Sequence, residues 1–142
     1  MEALQRNSRT LLVIHLAATL FMVGLIWTIH YVHYPLFAYV GESTYASFQA
    51  AHGITLIGVL ALAFLGTHKV LRVPAVINGA AMAVVLVISG FWSAPAHAKL
   101  ADGFDTSIHD QLMTVNLIRT LAWTVCGICA IWMVLSDSLS TR

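Results

Sequence analysis

The stretch LLVIHLAATLFMVGLIWTI, residues 11–29, decides the class of this chain. It holds no Asp, Glu, Lys or Arg, and at 1.5 Å per helical residue its 19 residues reach ~28 Å, close to the ~30 Å of bilayer hydrocarbon. Three further apolar runs follow, at about residues 48–66, 73–92 and 112–134. The 142 residues are 59% hydrophobic and 9% charged, where an ordinary soluble domain has roughly 25% charged residues. A mean hydropathy of +0.84 leaves too little polar surface to coat a soluble globule of this size. Backbone amides in hydrocarbon must bond within their own segment, and four long apolar runs cannot supply the alternating strands of a barrel. The expected fold is therefore all-α, a single integral membrane domain over 1–142. It is a four-transmembrane-helix up-down bundle with spans at about 11–33, 48–66, 73–94 and 108–135.

The connections agree with that count. Arg6 and Arg9 resemble the basic start of a signal peptide, but no small-x-small cleavage pattern follows residue 29, so the first run is read as a retained span. Pro35 is expected to close the first helix and Pro95 the third, while Pro74 suits a first helical turn. Ser107-Ile-His-Asp110 has the form of a capping box opening the fourth helix. Arg6, Arg9, Lys69, Arg72 and Arg142 fall on one side, with Lys99 alone in a loop on the other. This asymmetry predicts cytoplasmic termini and, in a bacterium, an inner-membrane location. Trp27 and Trp92 stand near the outer boundary and Trp132 near the inner one, as interfacial aromatics do. A net charge of +1 without a basic cluster excludes a nucleic-acid binder working through phosphate contacts.

The 7 histidines outnumber the 6 acidic residues, and the topology sorts them. His15 and His68 lie toward the cytoplasm, whereas His30, His33, His52, His97 and His109 come from all four helices at the outer end. His30 and His33, spaced i, i+3, are expected to lean to one face with Tyr34 beside them. Imidazole is the commonest ligand for zinc, copper and non-haem iron, and bundle sites draw ligands from several facing helices. These five histidines are the candidate metal ligands, for copper first and then iron or zinc because carboxylates are scarce in the spans. Tyr34, Gln49, Asp105 and Asp110 are the groups expected to orient the imidazoles. A haem b held by paired histidines is the competing use. Interfacial histidines satisfied by water or by Asp102, Asp105 and Asp110 are the plain alternative.

Arg119 is the other costly residue, set inside the fourth span with no acidic side chain in any span to neutralise it. It either snorkels to the outer headgroups or, with Asn116 one turn nearer the surface, binds an anionic or enolic substrate oxygen. Cys126 and Cys129 have dithiol spacing but lie among Ile, Ala and Val, without the basic neighbour that activates a thiol. Buried small hydrophobes are the expected role, and a thiol or quinone redox protein is the weaker reading. The small residues Gly79 and Ala83 are expected to mark a close helix contact.

Two groups of motifs carry a family resemblance. The first is Val32-His-Tyr-Pro35-Leu-Phe37 followed by Phe48, Gln49 and His52. The second is Pro95-x-His97-x-x-Leu100 followed by Asn116-x-Ile118-Arg119-Thr120. Across most of its length the chain resembles the anthrone-oxygenase-like proteins, small four-helix membrane proteins. His97 stands where asparagine is common in that family, and Gly103-Phe104-Asp105-x-x-x-His109 marks a histidine-rich branch. The resemblance implies oxygenation of an activated aromatic or polyketide-like substrate, without requiring a metal.

The resulting expectation is a membrane oxidoreductase, oxygenase-like, whose hydrophobic substrate arrives laterally from the lipid bilayer. The histidines hold copper or iron or act as bases, with His52, Asn116 and Arg119 as the catalytic residues. The alternative is a non-enzymatic haem- or copper-binding membrane protein, or a small subunit of a larger membrane complex; a homo-oligomer or a membrane partner subunit is the expected protein partner.

Overall fold

Backbone polar groups without access to water are satisfied most simply in helices, and every regular element among the described residues is helical. The structure is a computed structural model that describes residues 2–39 and 72–140, with side chains at 9–39 and 73–138. The expected second span at 48–66, with Gln49 and His52, lies outside the described residues, as does His68.

Helix α1, Glu2–Thr28, passes through a π-helical turn at Ile29–His33 into α2, Tyr34–Leu36, and a 3₁₀ turn at Phe37–Tyr39. Helix α3, Arg72–Ile88, likewise passes through a π turn at Ser89–Ser93 into α4, Ala94–Ala101. Helix α5 is a single rod, Thr106–Ser140. Three stretches are long and apolar enough to cross a membrane: Arg9–Tyr39, Val73–Ala101 and Thr106–Ser138.

The prolines do not end their helices, contrary to the sequence expectation. Pro35 and Pro95 each follow directly on a π turn, closed by the bonds Tyr34 N–H to Ile29 O and Ala94 N–H to Ser89 O. A proline ring collides with the carbonyl four residues back in an α-helix. The wider i→i+5 turn moves that carbonyl aside, so the rod continues with a local change of phase.

Packing is antiparallel along α5, the central rod of the described helices, with α1 on one flank and α3 on the other. Trp27 Nε1 donates to Thr124 Oγ1 at 3.2 Å, and Asn78 Nδ2 donates to the Cys126 carbonyl at 3.2 Å. Gly127 lets α1 approach closely, since a Cβ there would stand 3.1 Å from Val23. The buried face of α1, at Leu12, His15, Thr19, Met22, Ile26 and Ile29, steps alternately by three and four residues, as a helix seam requires. Phe21, 62% exposed, and Phe91, 75% exposed, point outward, as lipid-facing side chains do. Gly79 makes no close helix contact among the described residues, because nothing lies within 4 Å of where its Cβ would be.

Helix α5 also begins differently from the expected capping box. Asp105, not Ser107, caps it: Asp105 Oδ1 accepts from the Ile108 N–H at 3.0 Å and from the Ser107 hydroxyl at 2.7 Å. These two bonds hold the Asp105 carboxyl below its ordinary value by favouring the ionised form.

Candidate functional site

The two π turns and the start of α5 meet at one end of the bundle, with Tyr34 at the centre. Tyr34 is buried, and its hydroxyl lies 2.8 Å from His97 Nε2. Its backbone carbonyl lies 2.9 Å from His109 Nε2. A carbonyl can only accept, so His109 carries its hydrogen on Nε2 and keeps its lone pair on Nδ1. That Nδ1 faces Asp110 Oδ1 at 3.7 Å, an ion pair whenever the ring takes up a second proton. One tyrosine thus fixes the orientation of two imidazoles from two other elements.

Phe37, fully buried, organises the same end. Its ring centroid lies 5.4 Å from His33, 6.1 Å from His97 and 6.4 Å from His109. The three imidazoles therefore pack around a phenyl ring. Among the described residues no three His, Cys, Asp or Glu side chains gather as a metal-binding group. His30 belongs to a different neighbourhood, with Nδ1 3.4 Å from Asn116 Nδ2. His30 and His33 both lie inside the π turn, where the longer repeat turns i+3 further round from i, and they meet different partners, Asn116 for His30 and the Phe37 ring for His33.

Arg119 does not snorkel. It is 1% exposed and turned into the bundle. One terminal nitrogen donates to Ser93 Oγ at 3.2 Å and to Asn116 Oδ1 at 3.5 Å, while Nε and the second terminal nitrogen are buried with no hydrogen-bond partner among the described residues. The guanidinium is close enough to the Tyr34 hydroxyl to act on it electrostatically. Asn116, fully buried, sits between Arg119 and His30 and links the two halves of the cluster. The π turn of α3 matters here, since it delivers Ser93 to the guanidinium.

The cluster thus joins His30, Tyr34, His97, His109, Asn116 and Arg119. No known protein family, curated protein or solved structure matches the chain in sequence or fold comparison.

Among the remaining expected site residues, His33 meets the cluster through the rings of Phe37 and Tyr34. Asp105 serves as the helix cap, and Asp110 is exposed at the rim beside His109. Ser93 and Phe37 are the site residues that sequence reasoning missed. Ser93, two residues before Pro95 in an otherwise apolar helix, was the available signal for one of them, and Phe37 stood in the Val32-His-Tyr-Pro35-Leu-Phe37 motif without a role assigned to it. Cys126 and Cys129 are free and buried, and Cys126 donates weakly to the Asn78 carbonyl at 3.7 Å. This is the packing role expected of them.

Proposed function

We propose that this protein is a membrane-embedded oxidoreductase of the oxygenase type, acting on a hydrophobic substrate with an acidic C–H or O–H that reaches the site from the bilayer. The observation that carries the reading is Arg119, a permanently charged side chain buried with two nitrogens free to donate, beside the paired Tyr34 and His97. A guanidinium in a low-dielectric setting favours an enolate or phenolate oxygen over its neutral parent. The Tyr34–His97 pair can accept the proton that the substrate loses, with His97 as base and Tyr34 holding its ring. The resulting carbanion, stabilised as its enolate against Arg119 and Asn116, is electron-rich enough to react with molecular oxygen. Oxygen and the substrate CH₂ then become a ketone and water.

A copper or iron ion, or a haem, would draw on His30, His33, His97, His109 and His52. Three of the described imidazoles are already engaged, with Asn116 and with Tyr34. The test uses purified protein in nanodiscs supplied with 1,8-dihydroxyanthrone, following oxygen uptake and the quinone chromophore. Turnover above that of empty nanodiscs, reduced at least a hundredfold by Arg119→Gln, supports the reading. Equal rates with and without protein overturn it. Elemental analysis and a visible spectrum of the same preparation test the metal: stoichiometric copper or iron, or a Soret band, without oxygen uptake would identify a binding protein.

A further inference from the structure

We infer that a file of internal water runs through this bundle, from His15 near the end that carries the start of α1 to Arg119 at the candidate site. Buried polar atoms without a protein partner are uncommon and need an explanation, more so where lipid replaces water outside. Among the described residues, besides the two Arg119 nitrogens, such atoms include Nε1 of Trp123, Oδ1 of Asn78 and both ring nitrogens of His15. All four side chains lie on the inward faces of α1, α3 and α5.

Their order along the axis is regular. Trp123 lies one turn, ~6 Å, from Arg119 on α5, and Asn78 hangs on the Cys126 carbonyl three residues further. Gly127 meets Val23 and Leu20, which places Thr19 about one turn beyond Asn78 and His15 one turn beyond Thr19. The whole run is ~22 Å at 1.5 Å per residue; Arg119, Trp123 and Asn78 follow in steps of about 5–6 Å, and Thr19, whose hydroxyl donates to the His15 carbonyl at 2.8 Å, stands between Asn78 and His15 as an acceptor.

The chemistry also selects water. Arg119 and Trp123 offer only donors and Asn78 Oδ1 only an acceptor, while a neutral imidazole needs one of each. Water supplies both, and an internal site with two to four polar partners is one it occupies readily. Such a file carries protons without net chemistry, because each water accepts one proton as it releases another. A guanidinium only donates and does not relay, so the file ends beside the Tyr34 hydroxyl and supplies water and protons to that end of the bundle.

The test is hydroxyl-radical labelling by pulsed radiolysis of the protein in nanodiscs, read by mass spectrometry. Met22 and Trp123, both buried, should be oxidised at least three times faster than the lipid-facing Phe21 and Phe91 after correction for intrinsic reactivity. Radicals form from water in place, so buried side chains react only where water adjoins them. The double variant His15→Leu, Asn78→Leu should lower the Met22 and Trp123 rates at least threefold. Wild-type rates at or below those of Phe21 and Phe91 overturn the inference, and so do unchanged rates in a folded double variant. If the variant does not fold, the wild-type comparison decides alone. The result is independent of whether the protein oxidises any substrate.

Discussion

At Arg119 the protein keeps a charge where packing alone would reject one. Arg119 has no anionic partner among the described residues, a buried guanidinium so placed is a net cost to the fold, and replacing buried charge by apolar volume commonly stabilises. Arg119→Met should therefore raise stability by about 1–3 kcal/mol while abolishing substrate oxidation. Thermal unfolding in detergent checks this, and a fall in the midpoint would instead assign Arg119 to holding the bundle together. Tyr34 has the opposite balance, since its hydroxyl bond to His97 contributes to stability. Tyr34→Phe should cost about 0.5–1.5 kcal/mol, the usual worth of such a bond. Combining it with His97→Ala should add little beyond the single changes, because both remove the same interaction. A fully additive double variant would show that the two side chains do not share that bond.

The elements place these residues through irregularities rather than regular helix. Each proline forces a π turn, and each turn presents a cluster residue: His30 to Asn116 on α1, Ser93 to Arg119 on α3. Pro35→Ala removes the steric reason for the wider turn and allows an α register, which rotates the residues before it. The expected outcome is loss of the Tyr34–His97 bond, seen as a change in the His97 ring-nitrogen shifts by NMR. Unchanged shifts would mean that packing, not proline, maintains the turn. Residue type alone announced the prolines but not their effect, because helix termination and a π turn both relieve the same clash. The start of α5 was ambiguous for a similar reason, with Asp105 and Ser107 both competent caps. As Asp105 is the cap, its stabilising effect is complete above its ordinary value of 3.8 and is lost as the pH falls through its lower folded value. Amide exchange at Ile108 should therefore stay slow at mildly acidic pH and accelerate only below that value, whereas in Asp105→Ala it should be fast throughout.

At the scale of the whole molecule, what the sequence made legible was solvent and periodicity. The seam on α1 and the three long apolar rods follow from where hydrophobic residues recur, and this needs no knowledge of partners. The inward direction of Arg119 was not legible, since a charge within an apolar run is compatible with snorkelling or with burial until neighbours are placed. Membrane integration now turns on the contrast between two faces of the same bundle. Phe21 on α1 faces outward near the middle of its span, while Arg119 sits inside the bundle with Ser93 and Asn116. A Lys at an outward central position loses roughly 2.5–3.5 kcal/mol of insertion free energy and has no protein partner to offset it. Phe21→Lys should therefore shift the chain from the carbonate-resistant membrane fraction toward the soluble or degraded fraction. Arg119→Lys, which adds no charge and stays inside, should remain integrated. If both variants integrate equally well, the outward face of α1 does not meet lipid, and the packing around α5 would have to continue through further protein on that side.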